Sequence, residues 1–164
     1  MKAKDVMIPL YDYLRPNDSI KEAINILRIA KRSEDRIGVK GAPVLDENGK
    51  LLGMVAMSDI LRAAYPPYFS LANMGQFTWE NMLMDMAKKI TNKLVKDIMI
   101  KEVVTVHEET TLMACLDLLL KNRIKRLPVL NHEGKVLGMV YEREIFCAFV
   151  HAMLGDITCV DKSS

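Results

Sequence analysis

The side chains able to do chemistry are few in this sequence, and their spacing excludes several reaction types. His107, His132 and His151 stand apart with no metal-ligand spacing and read as surface or turn residues. Cys115, Cys147 and Cys159 form an odd, widely spaced set without a CxxC pair, which predicts neither a disulfide frame nor a zinc site and suits a reducing cytosol. Cys115 and Cys147 fall at core positions of helical patterns, and no base neighbours a cysteine to activate it. There is no phosphate-cradling loop of the P-loop type and no serine-hydrolase elbow. With no nucleophile–base or metal constellation in view, the chain is not expected to be an enzyme or to require a cofactor. Four charged residues and a tyrosine remain. Asp59 and Glu144 each stand near the start of a helix that follows a strand, where a capping or first-turn acid stabilises by about 0.5–2 kcal/mol. Lys125-Arg126 precede the apolar Leu127-Pro128-Val129 and read locally as a solvated charge pair. Tyr141 reads as a packed, half-buried strand residue.

A duplication positions these residues. Lys4-Asp5-Val6-Met7-Ile8 recurs as Lys96-Asp97-Ile98-Met99-Ile100, an offset of 92. Leu45 to Val55, with Asp46-Glu47-Asn48-Gly49-Lys50 at its centre, recurs as Leu130 to Val140, an offset of 85. Two matches in the same order are hard to obtain by chance. The difference, 92 − 85 = 7 residues, falls near Lys31–Lys40, a charged run expected to extend a helix end or a loop. In the second repeat, Val103–Val106 predicts a short strand, and Glu109-Thr110-Thr111 offers caps for a helix over Leu112–Asn122. Arg126–Leu130 and Val136–Tyr141 predict a hairpin turned by His132-Glu133-Gly134-Lys135, followed by a helix from Glu142 to His151. The first repeat predicts a helix from Ser19 to Ile29 capped by Asp18 or Ser19, strands at Ala42–Leu45 and Leu51–Ala56, and a helix from Ser58. The unit is β-α-β-β-α, and a lone copy would leave apolar surface exposed. Pro66-Pro67 end the first repeat. Trp79, Met82, Leu83, Met86 and Ile90 then predict an amphipathic connector helix. The expected fold class is α/β (α+β), with repeat 1 over 1–65, a helical connector over 66–92, repeat 2 over 93–152 and a tail over 153–164.

Bulk properties narrow the partners. Apolar residues make up 50% and charged residues 27%, an ordinary globular balance. A net charge of +2 and a pI near 8.4 are too mild to predict nucleic acid binding, which calls for a domain pI above about 9 and a clustered basic face. No stretch nears the roughly 20 apolar residues of a membrane span. The N-terminal MKAKDVMIPLYDYLRPND carries acids early and no apolar signal core, so no secretory signal is expected and the cytoplasm is the expected location. The twelve methionines read as adaptable core and interface filler, and the Met74–Met86 cluster as a potential partner surface.

The two copies resemble the CBS (cystathionine-β-synthase) domain family. The resemblance rests on Val95 to Met99, Val103–Val106, Asn122 to Leu130 and Gly138-Met139-Val140 in repeat 2. In repeat 1 it rests on Asp5-Val6-Met7, Gly41 to Asp46 and Gly53 to Ile60. It implies a pseudo-twofold pair with clefts between the repeats, commonly occupied in the family by AMP, ADP, ATP or S-adenosylmethionine, and a regulatory role toward an attached or partner protein. It also implies site positions: Ala42, Pro43, Ser58 and Asp59 from repeat 1, and Thr105, Lys125, Arg126, Leu127, Pro128, Tyr141 and Glu144 from repeat 2. In the family pattern a Thr or Ser, two residues and then an Asp follow the second hairpin strand, and that carboxylate accepts the ribose hydroxyl protons. Here Ala56 stands at the hydroxyl position with Asp59 in place, while Tyr141 and Glu144 replace both residues in repeat 2. Lys125-Arg126 match a pair that meets phosphates in the family; repeat 1 has Lys40-Gly41 there. The resemblance further implies a homodimer, with Ile60, Leu61, Ala64, Ile145, Phe146 and Phe149 on the contacting helices. Two functions are expected in order: a sensor of an adenosine-containing ligand, and an assembly module with degenerate clefts.

Overall fold

The structure is a computed structural model that describes residues 1–33, 36–65 and 79–155. Its elements run α1 (Ala3–Val6), β1 (Ile8–Pro9), α2 (Ile20–Ile29), β2 (Lys31–Ser33), β3 (Arg36–Ile37), β4 (Gly41–Leu45), β5 (Leu51–Ala56), α3 (Met57–Ala64), α4 (Trp79–Ile90), α5 (Val95–Ile98), β6 (Val106–His107), α6 (Leu112–Asn122), β7 (Arg126–Leu130), β8 (Val136–Tyr141) and α7 (Glu142–Leu154). The class is mixed α/β, as expected. The Pro66-Pro67 stop, Met74, Cys159 and most of the C-terminal tail lie outside the described residues.

The chain forms two compact units, one of Met1–Leu10 with the residues from Val104 onward, the other of Tyr11–Val103. In the Tyr11–Val103 unit, Ser19 starts α2 with a reciprocal cap: its N–H donates to Glu22 Oε2 at 2.6 Å, and its hydroxyl accepts from Glu22 N–H at 3.2 Å. Ile20, Ala23 and Leu27 then recur at helical spacing and are buried. They pack with Leu14, Val44, Val55, Ile60 and Val95 in one apolar core. β4 and β5 form an antiparallel hairpin, Ala42 opposite Val55. Asp46 Oδ1 ties its turn by accepting from the N–H groups of Asn48 and Lys50. Within the extra run near Lys31–Lys40, expected to extend a helix end or a loop, β2 and β3 pair antiparallel, Lys31 opposite Ile37. In α4, Ile90 is buried, but Leu83 is 68% and Met84 57% exposed, so Leu83 leaves the apolar stripe expected for this helix.

In the other unit the sheet order is β1-β8-β7-β6, with β6 parallel to β7. Thr111 caps α6 by accepting from Ala114 N–H at 3.3 Å. Leu112, Cys115 and Leu119 face a core shared with Leu127, Val129, Val140 and Ile145. The strand expected at Val103–Val106 is shorter and later, Val106–His107, where it pairs with Val129 and Leu130.

The units cut across the repeats. Ile8 pairs with Met139, and Ile100 bridges Met54, so the leading segment of each repeat lies against the hairpin of the other. Lys2 and Lys4 both bind Glu109, and these two hydrogen bonds hold the Glu109 carboxyl down to about 2. The exchange explains the repeated Gly-Met-Val. A Cβ on Gly53 would meet the Ile100 carbonyl oxygen at 2.7 Å, and one on Gly138 would run into the Ile8 carbonyl oxygen. Backbone cannot yield as a flexible side chain can. Gly138→Ala is therefore expected to cost about 1–3 kcal/mol, the usual penalty of overpacking. Urea denaturation checks this, and an unchanged midpoint would contradict the close approach.

Candidate functional site

In the Tyr11–Val103 unit the expected site residues gather where β5 runs into α3. Gly41 lies opposite Ala56, and Met57 N–H donates to the Lys40 carbonyl at 2.9 Å, which binds the start of β4 to the first turn of α3. Ala56 occupies the cap position without a side chain able to accept. Asp59 makes only the reciprocal bond of the cap: its Oδ2 accepts from Ala56 N–H at 2.7 Å. Its Oδ1 receives Arg62 Nη1 at 3.2 Å; the Asp59 side chain is 9% exposed and the Arg62 side chain 72%. Both oxygens thus have one protein partner, and each keeps capacity for a further donor. Ser58 is exposed, one residue earlier on the same turn. Ala42 and Pro43 are buried in β4, Ala42 within the apolar core and Pro43 with its carbonyl accepting from Leu14 N–H. Arg62 escaped the sequence reading, although its spacing of three from Asp59 on a helix is the signal that finds it.

In the other unit the same junction, β8 into α7, gathers five charged or polar groups. Arg126 lies opposite Tyr141 in register, and Glu142 N–H donates to the Lys125 carbonyl at 3.0 Å. Lys125 Nζ meets Glu142 Oε2 at 2.8 Å as an exposed pair. Such a pair contributes little to stability, so the ammonium is available to exchange partners. Glu142 was not anticipated; its place at the first residue of α7 is the signal. Arg126 Nη1 and Glu144 Oε2 are buried atoms, which sets this acid and this base apart from a solvated run. Tyr141 caps α7 without a side-chain cap bond and is half-buried, as read from sequence. Leu127 and Pro128 are fully buried, Leu127 in the apolar core. Thr105 is half-buried just ahead of β6 and belongs to no strand. The junctions of the two units therefore differ: one offers a single carboxylate, the other a mixed-charge cluster.

Other groups fall outside these junctions. A cavity of about 620 Å³ in the Tyr11–Val103 unit is lined by Tyr13, Arg15, Asp18, Glu22, Asp46 and Glu47 among others, and by none of the expected site residues. Among the described residues no group of three or more His, Cys, Asp or Glu is placed to hold a metal ion, and no helix is long and apolar enough to cross a membrane. Cys115 is a buried free thiol, and burial pushes its pKa up, away from a reactive thiolate.

Comparison with known proteins agrees with the duplicated architecture. An uncharacterized protein of Methanocaldococcus jannaschii is 28% identical over 163 residues, covering 92% of each chain. The solved CBSX2 of Arabidopsis thaliana in complex with AMP matches with a TM-score of 0.67 and 26% identity over 93% of this chain and 98% of its own. The solved CBS domain pair of protein MJ0100, in complex with 5′-methylthioadenosine and S-adenosyl-L-methionine, matches with a TM-score of 0.63 and 25% identity over 93% of this chain and 98% of its own. The CBS domain model matches residues 3–65 and again 95–151, and the chain therefore belongs to the CBS domain family as a tandem pair.

Proposed function

We propose that this chain is a regulatory small-molecule sensor that binds AMP, ADP, ATP or S-adenosylmethionine and passes the bound state to a regulated protein. The observation that carries the reading is the similarity, over nearly the whole chain, to two pairs solved with adenosine-bearing molecules. Asp59 is proposed as the ribose-binding acid, with Ser58 beside it and the main chain at Ala42 and Pro43. At the junction of β8 and α7, Lys125 and Arg126 are proposed to meet phosphate, with Thr105, Leu127, Pro128, Tyr141 and Glu144 as the other ligand-binding residues of that unit. The proposal makes the protein a regulator rather than an enzyme, with no required cofactor. A thermal-shift screen of ligand-free protein against the four molecules tests it. Stabilisation by at least one is expected, since a ligand at 100 times its Kd adds about 2.7 kcal/mol to the folded state. No shift with any of them at millimolar concentration would count against it.

A second reading, an assembly module without a nucleotide, draws on Ala56 in place of a hydroxyl and on the partners already held by Asp59. The exposed Leu83 and Met84 of α4 would then be its docking residues. A partner lost on Leu83→Glu but retained on Asp59→Asn would favour it.

The proposed setting is the cytoplasm, where adenine nucleotides are made and spent. The proposed assembly is a homodimer. On α7, Phe146 is 63% and Met153 78% exposed, and on α3 Leu61 is 65% exposed, while Ile60 and Ile145 are buried. Two helix faces thus carry apolar residues that a closed twofold contact would cover. Phe146→Glu is expected to halve the mass measured by light scattering at micromolar concentration without loss of fold. A wild type already monomeric there would reject the dimer.

A further inference from the structure

Arg62 has no role in the binding site proposed above, yet it holds one of the two oxygens on which ribose binding would depend. We infer, on the reading of Asp59 as the ribose-binding acid, that Arg62 is a specificity-determining residue of that site. It occupies the carboxylate in the free protein and makes the site favour a 5′-phosphorylated adenosine over the uncharged nucleoside. The two oxygens of Asp59 are held in different ways. Oδ2 receives the main-chain N–H of Ala56 at 2.7 Å, a short bond to a group fixed in the strand-to-helix turn. Oδ1 receives one guanidinium nitrogen, Arg62 Nη1, at 3.2 Å, the long end of the hydrogen-bond range. A tight charge-assisted pair closes to about 2.7–2.9 Å, and an arginine seated squarely on a carboxylate uses two nitrogens.

The backbone bond to Oδ2 therefore sets the position of the carboxylate, and Arg62 is its loose partner. The Arg62 side chain is 72% exposed against 9% for Asp59, so the guanidinium is free to leave and the carboxylate stays. The helix does not need an arginine at this turn. The offset of 85 that relates Asp59 to Glu144 places Cys147 opposite Arg62, and α7 forms with cysteine there. Ribose hydroxyls would bond to the charge of Asp59, and the guanidinium draws on the same charge. An uncharged nucleoside has to displace Arg62 and leaves it facing water. A 5′-phosphate gives the released guanidinium a new partner, because its planar fork of donors matches phosphate oxygens. Ribose carries its 5′ substituent only a few bonds from its two hydroxyls, within the sweep of a long side chain anchored one helical turn from Asp59. The same positive charge disfavours the sulfonium of S-adenosylmethionine.

The test is calorimetric titration of the whole chain with AMP, adenosine and S-adenosylmethionine, comparing the wild type with Arg62→Gln and Arg62→Lys. Arg62→Gln is expected to bind adenosine about two- to fivefold more tightly, the effect of removing an exposed ion pair, and AMP about two- to fivefold less tightly. The ratio of the adenosine to the AMP dissociation constant should thus fall about tenfold. Arg62→Lys keeps a charge without the fork, and its ratio should lie between the other two. A residue that only supported the end of α3 would shift the melting temperature and leave the ratio alone. An unchanged ratio, or adenosine bound no more tightly by Arg62→Gln than by the wild type, would overturn the inference while the ribose role of Asp59 stands. Binding of S-adenosylmethionine but of neither AMP nor adenosine would also overturn it and leave the sensor reading in place. If none of the three binds to any of these proteins at millimolar concentration, Arg62 and the Asp59 ribose site fall together.

Discussion

Asp59→Asn is expected to weaken binding of the adenosine ligand tenfold or more while leaving the melting temperature nearly unchanged. The carboxylate does two jobs on the proposed account. Its Oδ2 accepts the Ala56 N–H at 2.7 Å, and asparagine keeps an oxygen for that bond. The charge is what ribose hydroxyls would need. A hydrogen bond to a charged group contributes about 1.5–3 kcal/mol, and about 1.4 kcal/mol is tenfold in affinity. Arg62, at 3.2 Å from Oδ1 and well exposed, can swing aside for the ligand. Asp59→Ala should lower both affinity and stability, because the Ala56 N–H then loses its acceptor. Glu144→Gln should change affinity less: its Oε2 is buried, and the side chain is one methylene longer and follows Tyr141 by three residues. Calorimetric titration of the three variants separates these roles. Equal affinities for the wild type and Asp59→Asn would reduce Asp59 to a helix cap.

The largest loss of stability is expected at Leu127. It is 0% exposed and packs with Leu119, Val129, Val140 and Ile145. Leu127→Ala removes buried methyl groups and leaves a cavity, at a cost of about 2–5 kcal/mol. Leu127→Met nearly conserves volume and should cost less than about 1.5 kcal/mol. Urea denaturation measures both. A loss below about 1 kcal/mol for the alanine variant would mean that Leu127 is not the sealed core residue described here. If Leu127→Met keeps stability but loses ligand affinity, the side chain also lines the site.

Local signals in the sequence were readable where neighbours in the chain decide the outcome. Ser19 with Glu22, Thr111 ahead of Leu112, and Asp46 with Gly49 each place a cap or turn from a few adjacent residues, and α6, β5, β7 and β8 begin and end where the pattern puts them. What long-range pairing decides was not readable. The β-branched run at Val103–Thr105 has strand propensity, but among the described residues the ladder with β7 starts at Val106. The seating of Ile8 beside Met139 explains Gly138 only after the fold is known. The candidate site divides likewise. Asp59 could be picked out by its place after a strand, but its hold on Ala56 and Arg62, the Lys125–Glu142 pair and the burial of Arg126 are properties of packing.

The central claim is that this tandem CBS pair senses an adenosine-bearing molecule. Calorimetric titration of purified, ligand-free protein with AMP, ADP, ATP and S-adenosylmethionine in turn tests it most directly. The account predicts saturable binding of at least one of the four with submillimolar affinity, weakened tenfold or more by Asp59→Asn. Absence of binding by all four at millimolar concentration, from protein shown to be folded, would contradict it.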